Sequence, residues 1–186
     1  MRKKIIIKIT TIAILMAMST ILKYFSITTG TYRISLFDTP LIIAGIIAGP
    51  LWGALAGFGS DLIYSLFSGY QYSFIMAISA ILWGVAGGIF YKRKVNIYWL
   101  FGVMLLTSFI TTAVNSVQLY VWYQGGMWVG LPGRVITMFI KWPVTTMVVY
   151  VLNKKVVEHF FPVYHKKPSL VKMTLQRKPR KIIHSI

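Results

Sequence analysis

Two cations and a hydroxyl share one stripe of an otherwise apolar segment, Val129 to Thr146 (VGLPGRVITMFIKWPVTT). From Arg134, spacings of four, three and four residues lead to Met138, Lys141 and Thr145, and residues spaced in this way lie on one face of an α-helix. Charges at membrane depth are costly, so they usually face the interior of a helix bundle and mark the path or site of a ligand. The stripe therefore predicts a wall that faces an anion.

Two further polar stripes accompany it on neighbouring predicted helices. Their members recur at spacings of three and four residues and are Ser108, Thr111, Asn115, Gln118 and Trp122 on one helix, and Gly57, Asp61, Tyr64 and Ser68 on another. Hydroxyl and amide side chains in membrane helices often only bond neighbouring helices, and we expect this of Ser108 and Thr111. For Asn115, Gln118 and Trp122, nearer the extracellular mouth, we favour contact with a ligand over a bond to a neighbouring helix.

Single charged residues suggest how a ligand would be held. Arg33 and Arg134 suit a planar carboxylate or phosphate, which guanidinium binds through two hydrogen bonds. The alternative for both is an interfacial side chain that reaches out to water, which is the role we predict for Lys23. Asp61 is predicted either to pair with Lys141 or Arg134, or to accept paired N–H groups from an aminopyrimidine-like ring.

Aromatic and small residues add two weaker signals. Five aromatic side chains could stack on a flat ligand or simply occupy the membrane interface: Tyr70, Tyr72, Trp83, Trp122 and Trp128. Ala13 and Ala17 lie four residues apart on the first predicted helix, and such spacing marks a flat face that another helix can approach.

The composition sets the class of protein that must hold these residues. The 186-residue chain is 56% hydrophobic, with a mean hydropathy of +0.69, whereas soluble domains are about 45–50% apolar. Because about 20 apolar residues cross the hydrocarbon, this length predicts an all-α membrane protein with six spans. Cysteine is absent, only three residues are acidic, and the three histidines are C-terminal. We therefore predict no metal site, no catalytic residue and no enzymatic activity.

Six apolar stretches are predicted as the spans. A basic start could mark a secretory signal, but further spans follow and no small-x-small cleavage site ends the first run. Ser26 to Ser35 and Gln124 to Pro132 are predicted loops. The predicted spans are Ile9 to Phe25, Leu36 to Ala48, Leu51 to Ser68, Phe74 to Tyr91, Ile97 to Tyr123, and a last one ending near Asn153.

The cations predict an orientation and a tail. Of the 20 Lys and Arg residues, 16 fall in the N-terminal segment, in Lys92–Lys94 and from Lys154 onward. With six spans these groups share one side, which the positive-inside rule makes cytoplasmic, so both termini are expected inside. We expect residues 1–155 to form the membrane domain and residues 156–186 a basic cytoplasmic tail, which serves topology alone or contacts anionic lipid.

Several of these pieces resemble the substrate-binding S components of energy-coupling factor (ECF) vitamin transporters, most closely the folate-specific branch. The resemblance covers about residues 5–155. It rests on the basic N-terminus with Ala13 and Ala17, the loop Tyr32-Arg33-Ile34-Ser35, the hairpin AGPLWGALAGFGSDL that ends at Asp61, and Leu131-Pro132-Gly133-Arg134.

The resemblance implies a multi-pass protein of the bacterial cell membrane that captures folate outside and delivers it inward. Its implied partners are a membrane coupling protein, docked on the face of Ala13 and Ala17, and two cytoplasmic ATPases. The chain has no phosphate-binding Gly-x-x-x-x-Gly-Lys-Ser/Thr loop, so no cofactor is expected in it and ATP would be used by the partners. Arg33, Arg134 and Lys141 would then hold the glutamate carboxylates, and Asp61 with aromatics the pterin.

Lys141 and the long basic tail depart from what we expect of that family. Another anionic vitamin, such as pantothenate or riboflavin, is therefore the first alternative, and cationic thiamine fits a positive site least. A membrane enzyme acting on phosphorylated lipid with Asp61 as base, a structural subunit, and an ion-coupled carrier are alternatives from other classes.

Overall fold

A computed structural model gives the architecture of the chain. It describes residues 2–29, 32–69, 72–123 and 127–157, with side chains except those of residues 2–4, 27–34, 119 and 121–131. The elements are α1 (Arg2–Tyr24), β1 (Ile27–Thr29), β2 (Tyr32–Ile34), α2 (Asp38–Ala48), α3 (Pro50–Ser68), α4 (Phe74–Gly88), α5 (Ile97–Tyr123), α6 (Met127–Leu152) and a π-helical turn (Asn153–Val157).

Helix α2 is the centre of the bundle. All of its 11 residues are buried, and it contacts α1, α3, α4 and α6. Its sequence, DTPLIIAGIIA, is apolar on every side, as expected for a helix surrounded by protein. At about 1.5 Å per residue it is roughly 16 Å long, so it lies within the bundle and is too short to cross the hydrocarbon alone.

Glycine brings α2, α3 and α4 into direct backbone contact. A Cβ placed on Gly84 of α4 would collide with the carbonyl of Gly53 on α3, and one on Gly53 would lie 2.9 Å from the Cα of Gly45 on α2. Gly49 adopts φ 99° between α2 and α3, a conformation that other residues rarely adopt. These contacts form a tightly packed half of the bundle.

Three helices are long and apolar enough to cross a membrane among the described residues. They are the stretches Ile5–Tyr24, Ile97–Gln118 and Pro132–Val157 of α1, α5 and α6. Helices α2 and α4 are shorter apolar helices. The six predicted helices are confirmed, while their lengths divide them into long outer helices and shorter inner ones.

Both predicted loops differ from the structure, and α1 begins earlier (Arg2) and α4 ends earlier (Gly88) than predicted. The first predicted loop contains a small antiparallel hairpin in which Ile27 pairs with Ile34 and Thr29 with Tyr32. The second was predicted to extend to Pro132, but α6 already begins at Met127 and contains Pro132. Glycine and proline were taken there as helix breakers, although both are common in membrane helices because the surroundings favour internal hydrogen bonds.

Candidate functional site

A cavity of about 210 Å³ lies where five helices and the segment before α2 meet. Helices α4, α5 and α6 each present a stripe with helical spacing towards it, and α1 and α3 contribute one charged residue each. The lining residues are Lys23, Phe37, Asp61, Met76, Ser79, Ala80, Trp83, Ser108, Thr111, Thr112, Asn115, Arg134, Thr137, Met138 and Lys141. Both apolar rings and charged groups therefore face the same space.

Lys23 and Asp61 form an ion pair at one side of the cavity. The ammonium Nζ of Lys23 lies 2.7 Å from Oδ1 of Asp61, and the Lys23 side chain is only 3% exposed. The prediction that Lys23 reaches out to the interface is therefore wrong, as is the pairing of Asp61 with Lys141 or Arg134. A buried lysine requires a nearby carboxylate, and the approach of α1 to α3 supplies Asp61.

Lys141 and Asp38 form the second ion pair, which joins α6 to α2. The Asp38 side chain is fully buried, while that of Lys141 retains 22% exposure at the cavity wall. The ring of Phe37 lies between the two pairs, with its centroid 4.9 Å from the Nζ atoms of both Lys23 and Lys141. Together with Arg134, the described side chains in this region bring three positive and two negative charges.

Arg134 occupies the same wall, seven residues and about two turns before Lys141. Its Nη1 donates to the hydroxyl of Ser116 on α5 at 3.4 Å, so the guanidinium is oriented across the space between α5 and α6. The predicted stripe of Arg134, Met138 and Lys141 is confirmed as a wall of the cavity. Thr145, the fourth member, is buried at 1% exposure beyond the lining.

Hydrogen bonds between α4 and α5 order the polar wall. Ser79 donates to Oδ1 of Asn115 at 2.8 Å, which leaves the amide Nδ2 as a donor towards the cavity. Ser73 donates to Oε1 of Gln118 at 2.6 Å, and Gln118 lies outside the lining. Asn115 is therefore brought to the site, whereas Gln118 joins two helices.

The remaining predicted residues divide into three groups. Trp83 lines the cavity and its ring centroid lies 5.9 Å from Nζ of Lys141. Tyr64 lies beside the cavity, its ring 6.0 Å from Nζ of Lys23. Arg33 pairs through its backbone in the hairpin, and the side chains of Arg33 and Trp122 lie outside the described part of the chain, as do Tyr70 and the side chain of Trp128.

Some positions have surroundings or contacts that the sequence analysis did not assign to them. Ser108 and Thr111 line the cavity, and Thr111 bonds within its own helix, to Thr107 and Ser108, where a bond to a neighbouring helix was expected. For Phe37 and Asp38, the sequence did contain an indication. An acidic residue next to an apolar run needs a cation beside it once it is buried.

The hydroxyl of Tyr72 is buried without a partner among the described residues. Burial, and secondly the charge of Asp61, raise the pKa of Tyr72.

Comparison with known proteins decides the family. Residues 7–153 match the family described as ECF transporter, substrate-specific component. The chain belongs to this family. Members are transporter subunits in a membrane, which agrees with the three long apolar helices and with the expectation that the chain is not an enzyme.

Two relatives of this ECF component extend the comparison. The "Uncharacterized protein MG313 homolog" of Mycoplasma pneumoniae is 30% identical over 103 residues, which are 53% of this chain and 36% of that protein. The chain thus spans about a third of the length of the curated relative it matches. The crystal structure of FolT bound with folic acid superimposes with a TM-score of 0.73 at 23% identity, covering 79% of this chain and 92% of FolT. At this identity the likeness shows the shared fold.

Proposed function

We propose that the chain is the substrate-capturing S component of an ATP-driven ECF importer and that it binds folate in the cavity described above. The observation that carries the proposal is the cavity itself, with Arg134 and Lys141 on one wall and Asp61 across from them. Folic acid carries carboxylates at one end and an amino-substituted pterin ring at the other, so it offers anionic groups to the cations and N–H groups to the carboxylate of Asp61. The fold shared with folate-bound FolT supports this choice of ligand.

Arg134 and Lys141 are proposed to hold the carboxylates. Arg134 offers paired N–H donors in the geometry that a carboxylate accepts. Lys141 is held by Asp38 on its buried side and keeps part of its surface at the cavity, so its remaining donors are available to an anion. Arg33, on the hairpin beside this region, is proposed to add a third cation.

Asp61, Asn115 and Trp83 are proposed to hold the ring. Oδ1 of Asp61 accepts from Lys23, so the second oxygen, Oδ2, is left for an N–H group of the ligand. Nδ2 of Asn115 supplies a donor for a ring nitrogen or carbonyl. Trp83, 5% exposed at the wall, supplies an apolar face, and Tyr64, Gln118 and Trp122 are proposed to support the rim.

The proposed partners are a membrane coupling protein and two cytoplasmic ATPases, with ATP used by those partners. Ala13 and Ala17 are exposed on α1, outside the cavity lining. Their small side chains leave a flat strip that a helix of the coupling protein can approach. We place the protein in the bacterial cell membrane as a multi-pass protein with both termini cytoplasmic and the cavity opening outward.

The test is calorimetric titration of the detergent-purified protein with folic acid, beside riboflavin, pantothenate, biotin and thiamine. We expect tight one-to-one binding of folic acid that weakens about 10–100-fold in Arg134→Ala, the loss of one charge-assisted hydrogen-bond pair. The matched control is Arg93→Ala, an exposed arginine outside the cavity, which should bind as the wild type does.

Each other outcome contradicts a defined part of the proposal. Tight binding of another vitamin would keep the transporter and replace the substrate. Unchanged folate affinity in Arg134→Ala would remove this arginine from the site. If none of the five vitamins binds, the choice of a vitamin from this panel as the substrate is contradicted, while the family assignment stands.

A further inference from the structure

Cations and aromatic rings gather at the end of the bundle opposite the cavity. Nζ of Lys8 lies 5.4 Å from the ring centroid of Tyr91 and 5.6 Å from that of Trp52. Nζ of Lys92 lies 5.0 Å from the Tyr91 ring. These four residues, which we name the basic-aromatic cluster, come from α1, α3 and the turn after α4.

The backbone fixes this arrangement. Gly49 adopts φ 99° between α2 and α3, and a Cβ on it would lie 3.4 Å from the Tyr91 ring, so the ring packs directly on the turn. Lys92 adopts φ 59°, a left-handed conformation that is uncommon outside glycine. This conformation reverses the chain after α4 and lets the Lys92 side chain return to the ring that precedes it.

The cluster lacks a carboxylate among the described residues. Asp38 and Asp61, the two acids described, belong to the cavity end, and Lys8 lies 15 residues, or about 22 Å along α1, from the Lys23 that pairs there. An aromatic ring attracts a cation without neutralising it. Arg93 and Lys94, both exposed, add positive charge in the same turn. The positive charge at this end of the bundle would therefore attract an anion.

The position of the basic-aromatic cluster in the bundle indicates the source of that anion. The apolar span of α1 begins at Ile5, so Lys8 lies in its first turn, from which a long cationic side chain can reach the membrane surface. Tyr98 and Trp99, 83% and 71% exposed, start α5 just after the basic turn. With Gly102, Val103 and Leu106 they form an apolar surface along α5, as expected for a helix face in contact with lipid.

We propose that the basic-aromatic cluster binds the head-group phosphodiester of an anionic glycerophospholipid in the leaflet where α1 begins. Lys8 and Lys92 hold the phosphate from two sides of Tyr91, and Trp52 covers the apolar side of Lys8. The site lies outside the vitamin cavity, so it stands whether or not the cavity takes folate.

The experiment is native mass spectrometry of the full chain in neutral detergent, titrated with dioleoylphosphatidylglycerol and, separately, dioleoylphosphatidylcholine. We expect one phosphatidylglycerol to be retained preferentially. Affinity should fall about 30-fold in the double variant Lys8→Gln/Lys92→Gln, following the usual attraction of two cations to an anionic surface. Lys8→Arg/Lys92→Arg should restore binding, and this second variant reports on the site even if the first one folds poorly.

The matched control is Arg93→Gln/Lys94→Gln, which also removes two positive charges, here from the exposed turn that holds Lys92. It should weaken binding by no more than about threefold, because exposed cations that do not contact the phosphate are screened by salt. An equal loss in both double variants would overturn the proposal in favour of nonspecific attraction. Equal retention of the two lipids would overturn it as well, and capture of glycerol phosphate with the affinity of the lipid would replace the lipid by a soluble phosphate.

Discussion

The two halves of this bundle are held together in opposite ways. In one half, α2, α3 and α4 meet backbone to backbone through glycine, and α2 is buried along its whole length. In the other half, α5 and α6 face the bundle with hydroxyls, an amide and two cations, and a cavity lies between them and α4. The difference shows how one small protein combines a rigid support with a space for a ligand.

Helix α4 belongs to both halves. Gly84 faces α3, while Ser79 and Trp83 face the cavity. Because glycine lets the backbone of α4 pack directly against that of α3, the side chains on the opposite face of α4 are held in fixed positions. The contrast between the halves can be tested by four changes, from the most damaging to the mildest.

Gly84→Ala is expected to have the largest effect, because its Cβ would collide with the backbone of Gly53. Neither backbone can move without separating α3 from α4, so we expect a loss of about 3 kcal/mol or more in stability. Thermal unfolding in detergent measures it. Gly102→Ala, in α5 with nothing within 4 Å, is the control and should leave the melting temperature unchanged or slightly raised. Equal melting of the two variants would refute the close packing.

Asp38→Asn comes next, because it leaves the Lys141 ammonium beside a buried neutral amide. Removal of one partner of such a pair costs about 3 kcal/mol, whereas replacing both is often nearly neutral. The double variant Asp38→Asn/Lys141→Met should therefore regain most of the stability while binding folate less well. Denaturant unfolding separates these outcomes, and a double variant as unstable as the single one would contradict the pairing.

Ser79→Ala should leave the fold intact and weaken ligand binding about fivefold. The lost hydrogen bond orients the Asn115 amide, and such a bond contributes about 1 kcal/mol. Ser65→Ala is the control, since Ser65 bonds only to its own helix at Asp61 and lies outside the cavity lining. Titration calorimetry with folic acid measures both variants, and matching affinities would exclude Asn115 from ligand contact.

Tyr72→Phe should have the smallest effect on stability, and it should stabilise the protein. The hydroxyl is buried with no partner in the described residues, so its removal should stabilise by about 0.5 kcal/mol at pH 8. The pKa of Tyr72 lies above its ordinary value of 10.0 in the folded protein, so the unfolded chain loses this proton first. Stability is then lost as the pH rises above about 10.

The gain from Tyr72→Phe should therefore grow at alkaline pH, as followed by unfolding curves from pH 8 to 11. Tyr98→Phe changes the same atom on a side chain that is 83% exposed and should show no difference from the wild type. A gain that does not change with pH would exclude this titration as its cause.

Much of the fold could be predicted from local patterns. Apolar runs separated by glycine, proline and basic turns predicted six helices, and the bounds of α5 were correct at both ends. The three-four spacing placed Arg134 and Lys141 on one wall and included Asn115, since helical periodicity relates residues on one face whatever the tertiary packing. The predicted end of α2 at Ala48 was also correct, because the turn at Gly49 ends the helix.

The partners of the charges could not be predicted in this way. One predicted role of Asp61 was to pair with Lys141 or Arg134 on α6. Instead, Asp61 pairs with Lys23 on α1, and Lys141 pairs with Asp38. Sequence spacing does not say which helices are neighbours or how far each is shifted along its axis. With few acids and several cations, more than one pairing satisfies the same charge balance.

By itself, the sequence determined the class of protein, its six helices and the presence of cations on a polar face, because each depends on composition or on the period of one helix. The tertiary structure alone decided which acid neutralises which lysine, how Phe37 comes between them, and how Lys8 meets Tyr91 across the length of the chain. These contacts join residues on different elements, and their geometry follows from how the helices pack.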